Sequence, residues 1–333
     1  MSDIDPVVLV TTRSFSSGAL DLDGELAVAG LRVLRGPGDH DLDLIADELP
    51  RVVAWIAGSA PVTAAMLDRL PALRIVARYG VGVDAVDVGA AADRGILVSN
   101  TPGANSSAVA DHTLALLLAA LRRVPQGDRG VRSDDWRVQR AREVSGLTVG
   151  IAGFGRIGRG VAERLSGFGC EVRVADPFLD DTVLTAAGVI PSTFAELAAR
   201  CDVVSLHAPG ERPLVDAEWL ATAREGLVLV NTARAVLVDD AALADALRSG
   251  RVAAYASDTP PAEPGLPPES PLLDADLADC TVFTPHSAAQ TVQAVDGMGR
   301  GAVDAVLAVR RGGTPFTLVD PPRADTHQRG ATR

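Results

Sequence analysis

The stretch Val-Gly-Ile-Ala-Gly-Phe-Gly-Arg-Ile-Gly, from Val149 to Gly158, restricts the possible folds of this chain more than any other. An apolar run enters Gly-x-Gly-x-x-Gly, and apolar residues follow at Ile157, Val161, Ala162 and Leu165, which predicts a strand, a tight turn and a helix. Each glycine has its own task in such a turn. Gly153 permits the turn, Gly155 lets the backbone approach a pyrophosphate, and Gly158 lets helix and strand pack closely. The pyrophosphate would sit on free N–H groups at the helix start, at Arg156 and Ile157. A second strand pattern, Cys170 to Ala175, ends in Asp176, 18 residues past Gly158. A carboxylate there bonds the ribose diol of NAD and repels a 2′-phosphate. Glycines at this spacing also occur in plain turns; the strand, the helix and the acid together predict a dinucleotide site.

Composition bounds the rest. The 333 residues suffice for two domains, and 47% are apolar, enough to fill real cores. A formal net charge of −12 argues against nucleic acid or an anionic membrane as the main partner. The chain contains no lysine, which excludes Schiff-base catalysis and a Walker-type phosphate loop. Cys170, Cys201 and Cys280 are scattered, show no metal-ligand spacing and suggest a reducing, cytoplasmic setting. Residues Met1 to Pro6 are acidic and lack a secretory pattern, and the apolar run Leu114 to Leu121 is too short for a membrane span. Residues 321–333 read as a disordered polar tail.

Apolar runs at Val7–Val10, Leu31–Leu34, Val52–Ile56, Leu73–Ala77 and Ile96–Val98 predict strands. Helical patterns separate them, around Gly18–Ala29, Leu42–Leu49, Thr63–Leu70 and Val86–Arg94. This alternation predicts an α/β domain with a parallel sheet over residues 1–100. After the turn Asn100–Ser107, a helix to about Arg123 is apolar nearly all round, so it belongs in a core or a subunit interface. A second α/β domain follows over residues 101–289, with a capping box at Thr193 and Glu196. The last helical pattern, Thr291 to Arg310, crosses back, so residues 290–320 would complete the first domain and leave a cleft and hinge between the halves. The fold class is therefore α/β, with two doubly wound parallel sheets.

The residues with chemical potential fall just past strand ends. They are the glycine loop, Asp176, His207-Ala208-Pro209, Asn231-Thr232-Ala233-Arg234, Asp258 and Thr284-Pro285-His286. Ligands of open α/β sheets bind at this edge. With Gly80-Val81-Gly82-Val83-Asp84, Asn100-Thr-Pro-Gly103, Ser205-Leu-His-Ala-Pro209 and Glu263-Pro264, these motifs make the chain resemble the D-2-hydroxy acid dehydrogenase family over almost its full length.

The resemblance implies a Rossmann NAD-binding domain, a flavodoxin-like substrate domain and a homodimer. It assigns Arg234 to the substrate carboxylate and carbonyl, which suits a planar guanidinium. His286 becomes the general acid/base, and Glu263 its partner, raising its pKa. Gly80, Val81 and Gly82 would offer backbone N–H groups to the substrate. Asp176, His207, Ala208, Pro209, Thr232, Ala233 and Asp258 join the glycine loop as cofactor contacts. His112 reads as a satisfied core histidine, and His40 as exposed and without a role.

Three departures from the family pattern stand out: Ala235 after Arg234, Thr259-Pro260-Pro261-Ala262 before Glu263, and Ser287-Ala288-Ala289 after His286. The last two bear on the Glu263–His286 geometry. The leading expectation is an NAD-dependent oxidoreductase of a small 2-keto or 2-hydroxy acid. A phosphorylated acid is disfavoured because Ala57-Gly58-Ser59-Ala60 carries no cation, although Arg13 is nearby in sequence terms. The alternative is an NAD-sensing, corepressor-like protein, which has no need of Arg234, Glu263 and His286 together. A formate dehydrogenase-like enzyme would carry Gln in place of Glu263.

Overall fold

A computed structural model describes residues 5–261 and 269–320. They form two compact units, one from residues up to 105 with those from 290, the other from residues 106–289. In the first unit β1 (Val7–Val10), β2 (Arg32–Arg35), β3 (Val52–Ala57), β4 (Ile75–Arg78) and β5 (Leu97–Ser99) pair in parallel. Their order is β2-β1-β3-β4-β5, the flavodoxin-like arrangement that reverses between β1 and β3. β1 is buried along its whole length, which is why it reads as a continuous apolar run and not as an alternating one.

The helices of this unit start at side-chain caps. Those of Asp21, Thr63 and Asp87 accept N–H bonds at the heads of α1 (Leu22–Val28), α2 (Ala64–Asp68) and α3 (Val88–Asp93). The Asp21 cap explains why α1 begins four residues later than the apolar pattern from Gly18 suggests. Leu42–Arg51 is 3-10 helix with a non-helical Ile45 and an internal Pro50, where the pattern suggested a regular helix. The last helix, Val292–Arg310, packs on β4 and α1. Its Val295 carbonyl accepts from the Tyr79 hydroxyl at 3.0 Å, and Asp296 accepts from the N–H groups of Ala19 and Leu20. Residues 101–105 stay with this unit because the same helix presents Gly301 to Thr101, where a Cβ would come within 2.8 Å of the Thr101 methyl.

The second unit begins with α4 (Ser106–Arg122) and α5 (Val124–Arg132). A seven-stranded parallel sheet follows: β6 (Thr148–Ala152), β7 (Glu171–Ala175), β8 (Ile190–Pro191), β9 (Val203–Leu206), β10 (Leu227–Asn231), β11 (Val252–Ser257) and β12 (Thr281–Phe283). Between strands lie α6 (Arg156–Leu165), α7 (Asp181–Ala186), α8 (Phe194–Arg200), α9 (Ala217–Thr222) and α10 (Asp240–Arg248). The order β12-β11-β10-β9-β6-β7-β8 is the Rossmann order, and it reverses between β6 and β9. Thr193 and Glu196 form their capping box at the head of α8. α4 buries Val109, Ala110, Leu114, Leu116, Leu117, Ala120 and Leu121 against α6 and the sheet. Its apolar character is thus accounted for inside the protomer and does not by itself call for a partner subunit.

One sequence expectation is corrected here. His40, read as exposed, is fully buried. Its ring sits edge-on to Trp55 with centroids 4.9 Å apart. Thr11 Oγ1 receives N–H bonds from Trp55 Nε1 at 3.0 Å and Gly58 at 3.3 Å, so its own proton goes to His40 Nε2 at 2.8 Å. His40 Nδ1–H then donates to the Pro61 carbonyl at 3.0 Å. The polar sequence around His40 hid these long-range partners. Burial lowers the pKa of His40, so the unfolded chain takes up a proton first as pH falls. Its contribution to stability is present above the ordinary histidine pKa of about 6.5 and is lost below it. Unfolding free energies from denaturant titrations between pH 7 and 5 should therefore fall less steeply for His40→Asn than for the parent, by up to about 1.4 kcal/mol per pH unit. Parallel slopes would show that this ring is not the titrating group.

Candidate active site

The glycine turn follows β6, and its geometry bears on each task separately. Gly153 has φ +93°, and a Cβ there would come within 2.7 Å of the His207 carbonyl oxygen. At Gly158 a Cβ would lie 2.1 Å from the Gly153 carbonyl oxygen. At Gly155 it would meet nothing within 4 Å, so this glycine faces open space. Gly155 also caps α6 without any side-chain hydrogen bond, leaving the first N–H groups of the helix, those of Arg156 and Ile157 among them, for an anion. A wall-free approach to an uncapped helix start fits a pyrophosphate.

Asp176, at the end of β7, accepts from the Phe154 N–H at 2.7 Å and the Phe178 N–H at 2.9 Å. These bonds hold its carboxylate beside the glycine turn while spare lone pairs remain on both oxygens. Across the reversal, His207, Ala208 and Pro209 follow β9, and the His207 N–H bonds the Ala152 carbonyl at 2.7 Å. The His207 ring shares a 2.8 Å hydrogen bond with Ser205 Oγ. Its Nδ1 is shielded from water with no partner among the described residues, and burial pushes its pKa down to about 3. This edge therefore holds a neutral imidazole.

Arg234 follows β10 in a turn clasped by Asn231, a residue the sequence reading gave no site role. The buried Asn231 amide accepts from the Ala233 N–H at 3.0 Å and donates to the Arg234 carbonyl at 2.8 Å. Thr232 is buried, with its hydroxyl 2.9 Å from that of Thr113 on α4. These bonds tie the turn to itself and to α4.

Asp258 directly follows β11 and is 2% exposed. Its carboxylate gathers the loop that carries His286. It accepts from Thr284 Oγ1 at 2.5 Å and from the N–H groups of Ser287 and Ala288, each at 2.8 Å. His112 Nε2 stands 3.4 Å away. Burial tends to raise the Asp258 pKa, but the bonds from His112, Thr284, Ala288 and Ser287 outweigh it, and the net shift is downward. The physical reason is the loop: irregular backbone has donors that no strand or helix absorbs, and a carboxylate collects several at once. Between these anchors His286 is exposed, in the left-handed region at φ +52°, with its N–H on the Thr284 carbonyl at 2.9 Å. Glu263 lies outside the described residues.

In the first unit, Gly80 has φ +142° and its N–H is already bonded to the Arg78 carbonyl and the Thr101 hydroxyl. The N–H groups of Val81 and Gly82 make no hydrogen bond among the described residues, so they are the donors this turn can offer. No group of His, Cys, Asp or Glu among the described residues is arranged to hold a metal ion.

The glycine geometry separates stability from binding. Gly158→Ala should destabilise the second unit by about 2 kcal/mol, because the obstacle is backbone. Gly155→Ala should leave the melting temperature within about a degree, because its Cβ meets nothing, but weaken NADH binding at least ~10-fold. Calorimetry and NADH fluorescence titration read the two effects; a Gly155→Ala protein that binds NADH normally would remove this glycine from the cofactor site.

Comparison with known proteins agrees with this geometry. Residues 114–288 match the family described as D-isomer specific 2-hydroxyacid dehydrogenase, NAD binding domain. The D-3-phosphoglycerate dehydrogenase of Mycobacterium tuberculosis is 39% identical over 307 residues, 90% of this chain and 56% of that protein. The chain thus spans about half the length of the phosphoglycerate dehydrogenases it matches. The glyoxylate reductase of Korarchaeum cryptofilum is 37% identical over 269 residues, 78% of this chain and 80% of that one. The crystal structure of the TT0316 protein from Thermus thermophilus superposes with a TM-score of 0.83 at 34% identity, covering 94% of this chain and all of that one. The chain belongs to the D-isomer specific 2-hydroxyacid dehydrogenase family, and its second unit is that family's NAD-binding domain.

Proposed function

We propose that this protein is an NAD-dependent oxidoreductase that interconverts a small unphosphorylated 2-keto acid and the matching D-2-hydroxy acid. One observation carries the reading. The uncapped start of α6, the clasped Arg234 turn after β10 and the braced His286 loop after β12 all lie at the carboxyl edge of one parallel sheet. A bound nicotinamide supplies or accepts the hydride. The chain's own side chains do the remaining work. Arg234 holds the substrate carboxylate through its planar guanidinium and polarises the carbonyl. His286 gives a proton to the carbonyl oxygen during reduction and takes it from the hydroxyl in the reverse direction. Glu263 supports the protonated imidazole, and on the first unit the Val81 and Gly82 N–H groups are donors suited to a carboxylate. The early N–H groups of α6 carry the pyrophosphate, and Asp176 takes the ribose diol, which favours NAD over NADP.

The loop Ala57-Gly58-Ser59-Ala60 carries no cation of its own, which favours an unphosphorylated acid. Gly58 follows β3, and a Cβ there would meet the Thr11 carbonyl oxygen at 2.8 Å. Position 58 is therefore closed to a side chain unless the backbone moves, and the cation nearest the loop is Arg78, whose guanidinium donates to the Ala57 carbonyl at 3.5 Å. The relatives named for phosphoglycerate make the phosphorylated acid the decisive comparison.

We also propose a cytoplasmic homodimer. Trp136 is 71% and Val138 98% exposed, and Val124 and Val131 of α5 are exposed too, so this stretch offers several apolar side chains to a second copy. The free cysteines fit a reducing compartment, and among the described residues no helix is long and apolar enough to cross a membrane. Light scattering should return twice the 34.4 kDa chain mass, and Trp136→Glu should shift it toward the monomer. A stable monomer of the parent protein would reject the dimer.

The activity is tested by NADH oxidation with glyoxylate, pyruvate, hydroxypyruvate and branched 2-keto acids, each compared by kcat/KM. Hydroxypyruvate should exceed its phosphorylated counterpart, NADH should exceed NADPH, and Asp176→Ala should narrow the cofactor gap. His286→Ala should lower kcat by about 100-fold or more while NADH still binds. A flat panel despite tight NADH binding would favour a sensor over an enzyme.

A further inference from the structure

We propose that two adjacent residues of α4, His112 and Thr113, are positioning residues that brace the turns of His286 and Arg234 from one rigid helix. The inference rests on the roles proposed for those two side chains.

The direction of each hydrogen bond follows from chemistry. An ionised carboxylate can only accept, so the single proton of the Thr284 hydroxyl goes to Asp258 Oδ1 at 2.5 Å. Thr284 Oγ1 must then accept from His112 at 2.9 Å, which places the His112 proton on Nε2. The chain of donors runs from His112 to Thr284 to Asp258. The same carboxylate holds the N–H groups of Ser287 and Ala288, directly after His286. His286 is therefore fixed from both sides, by Thr284 before it and by Ser287 and Ala288 after it. The second chain has the same logic. Thr113 donates to the Val109 carbonyl at 2.8 Å, so the Thr232 hydroxyl donates to Thr113 at 2.9 Å. Thr232 lies two residues before Arg234, in the turn that Asn231 clasps.

α4 is suited to the task. It is a 17-residue helix packed on α6, β10, β11 and β12, so its side chains share one rigid frame with the strands that carry both turns. Thr113 is fully buried and the His112 side chain is 22% exposed. A buried hydroxyl and a half-buried imidazole on an otherwise apolar helix give up part of their hydration; here each is matched to a partner on a candidate catalytic turn. Neither touches the reacting atoms in this scheme. Each acts by keeping a catalytic side chain within the narrow range of positions that the chemistry tolerates.

The two braces should fail in different ways. His112→Leu removes the donor behind His286 and should lower kcat about 10-fold with KM for the keto acid nearly unchanged. Thr284→Val cuts the same chain and should copy it, and the double variant should be no worse than either single one. Thr113→Val loosens the Arg234 turn and should raise KM for the keto acid about 10-fold while kcat changes little. His112→Gln and Thr113→Ser keep the donors and should restore most of each loss. NADH affinity, measured on every variant, should stay near the parent value, and each disruptive variant should still unfold cooperatively, with a melting temperature lowered by the loss of one buried hydrogen bond. The proposal is overturned if the conservative variants are as impaired as the disruptive ones, if both positions shift kcat and KM together, or if NADH affinity falls in step with activity. Unchanged kinetics in His112→Leu and Thr113→Val would overturn it equally. His286→Ala separates this failure from that of the proposed function: if that variant stays active, the acid/base assignment is wrong. If it is inactive while His112→Leu is normal, the assignment stands and only the brace is wrong.

Discussion

A buried carboxylate governs the active-site edge of the second unit. Asp258 is almost wholly removed from water, which would be costly for an unpaired charge. It stays ionised because three close donors, from Thr284, Ser287 and Ala288, replace the lost water, with His112 just beyond. Those donors all come from the loop after β12, whose irregular backbone would otherwise leave them unpaired. Desolvation and loop order are thus one interaction. The left-handed His286 is tolerated because its neighbours on both sides are held, so local strain is offset by fixed flanks.

The glycine turn applies the opposite device, in which missing atoms shape the site. At Gly158 the absent Cβ lets α6 approach β6, and at Gly155 it leaves open space in front of the helix start. The bare N–H groups of α6 are then presented at the place where the strand order reverses. Asp176 is oriented by N–H groups of the Phe154 and Phe178 backbone, so the turn and the acid at the next strand end are tied together. Cofactor selectivity and turn geometry share residues, which limits how far either can vary alone.

The first unit has a comparable polar node at its own strand ends. Thr11, His40, Trp55 and Gly58 share one buried network below the loop after β3. Burial lowers the pKa of His40, and the same close packing leaves no room for a side chain at Gly58.

The sequence by itself determined the alternation of strands and helices, the glycine turn, the acid at the end of β7 and the strand-end positions of Arg234 and His286. These depend on spacing along the chain: apolar period, glycine intervals and the residue that follows each strand. It did not determine the environments of the histidines, or what Asp258 and Asn231 hold. His40 stands in a polar stretch and yet is buried, because its partners come from Thr11 and Pro61. His112 lies on an apolar helix and yet bonds a residue 172 positions away, at the candidate catalytic loop. Thr113 likewise reaches Thr232, 119 positions on. Hydrogen bonds over such separations leave no periodic trace, because the partner of a side chain is chosen by the stacking of helix on sheet. The chemistry of each residue was present in the sequence; the tertiary structure decided which residue faces which.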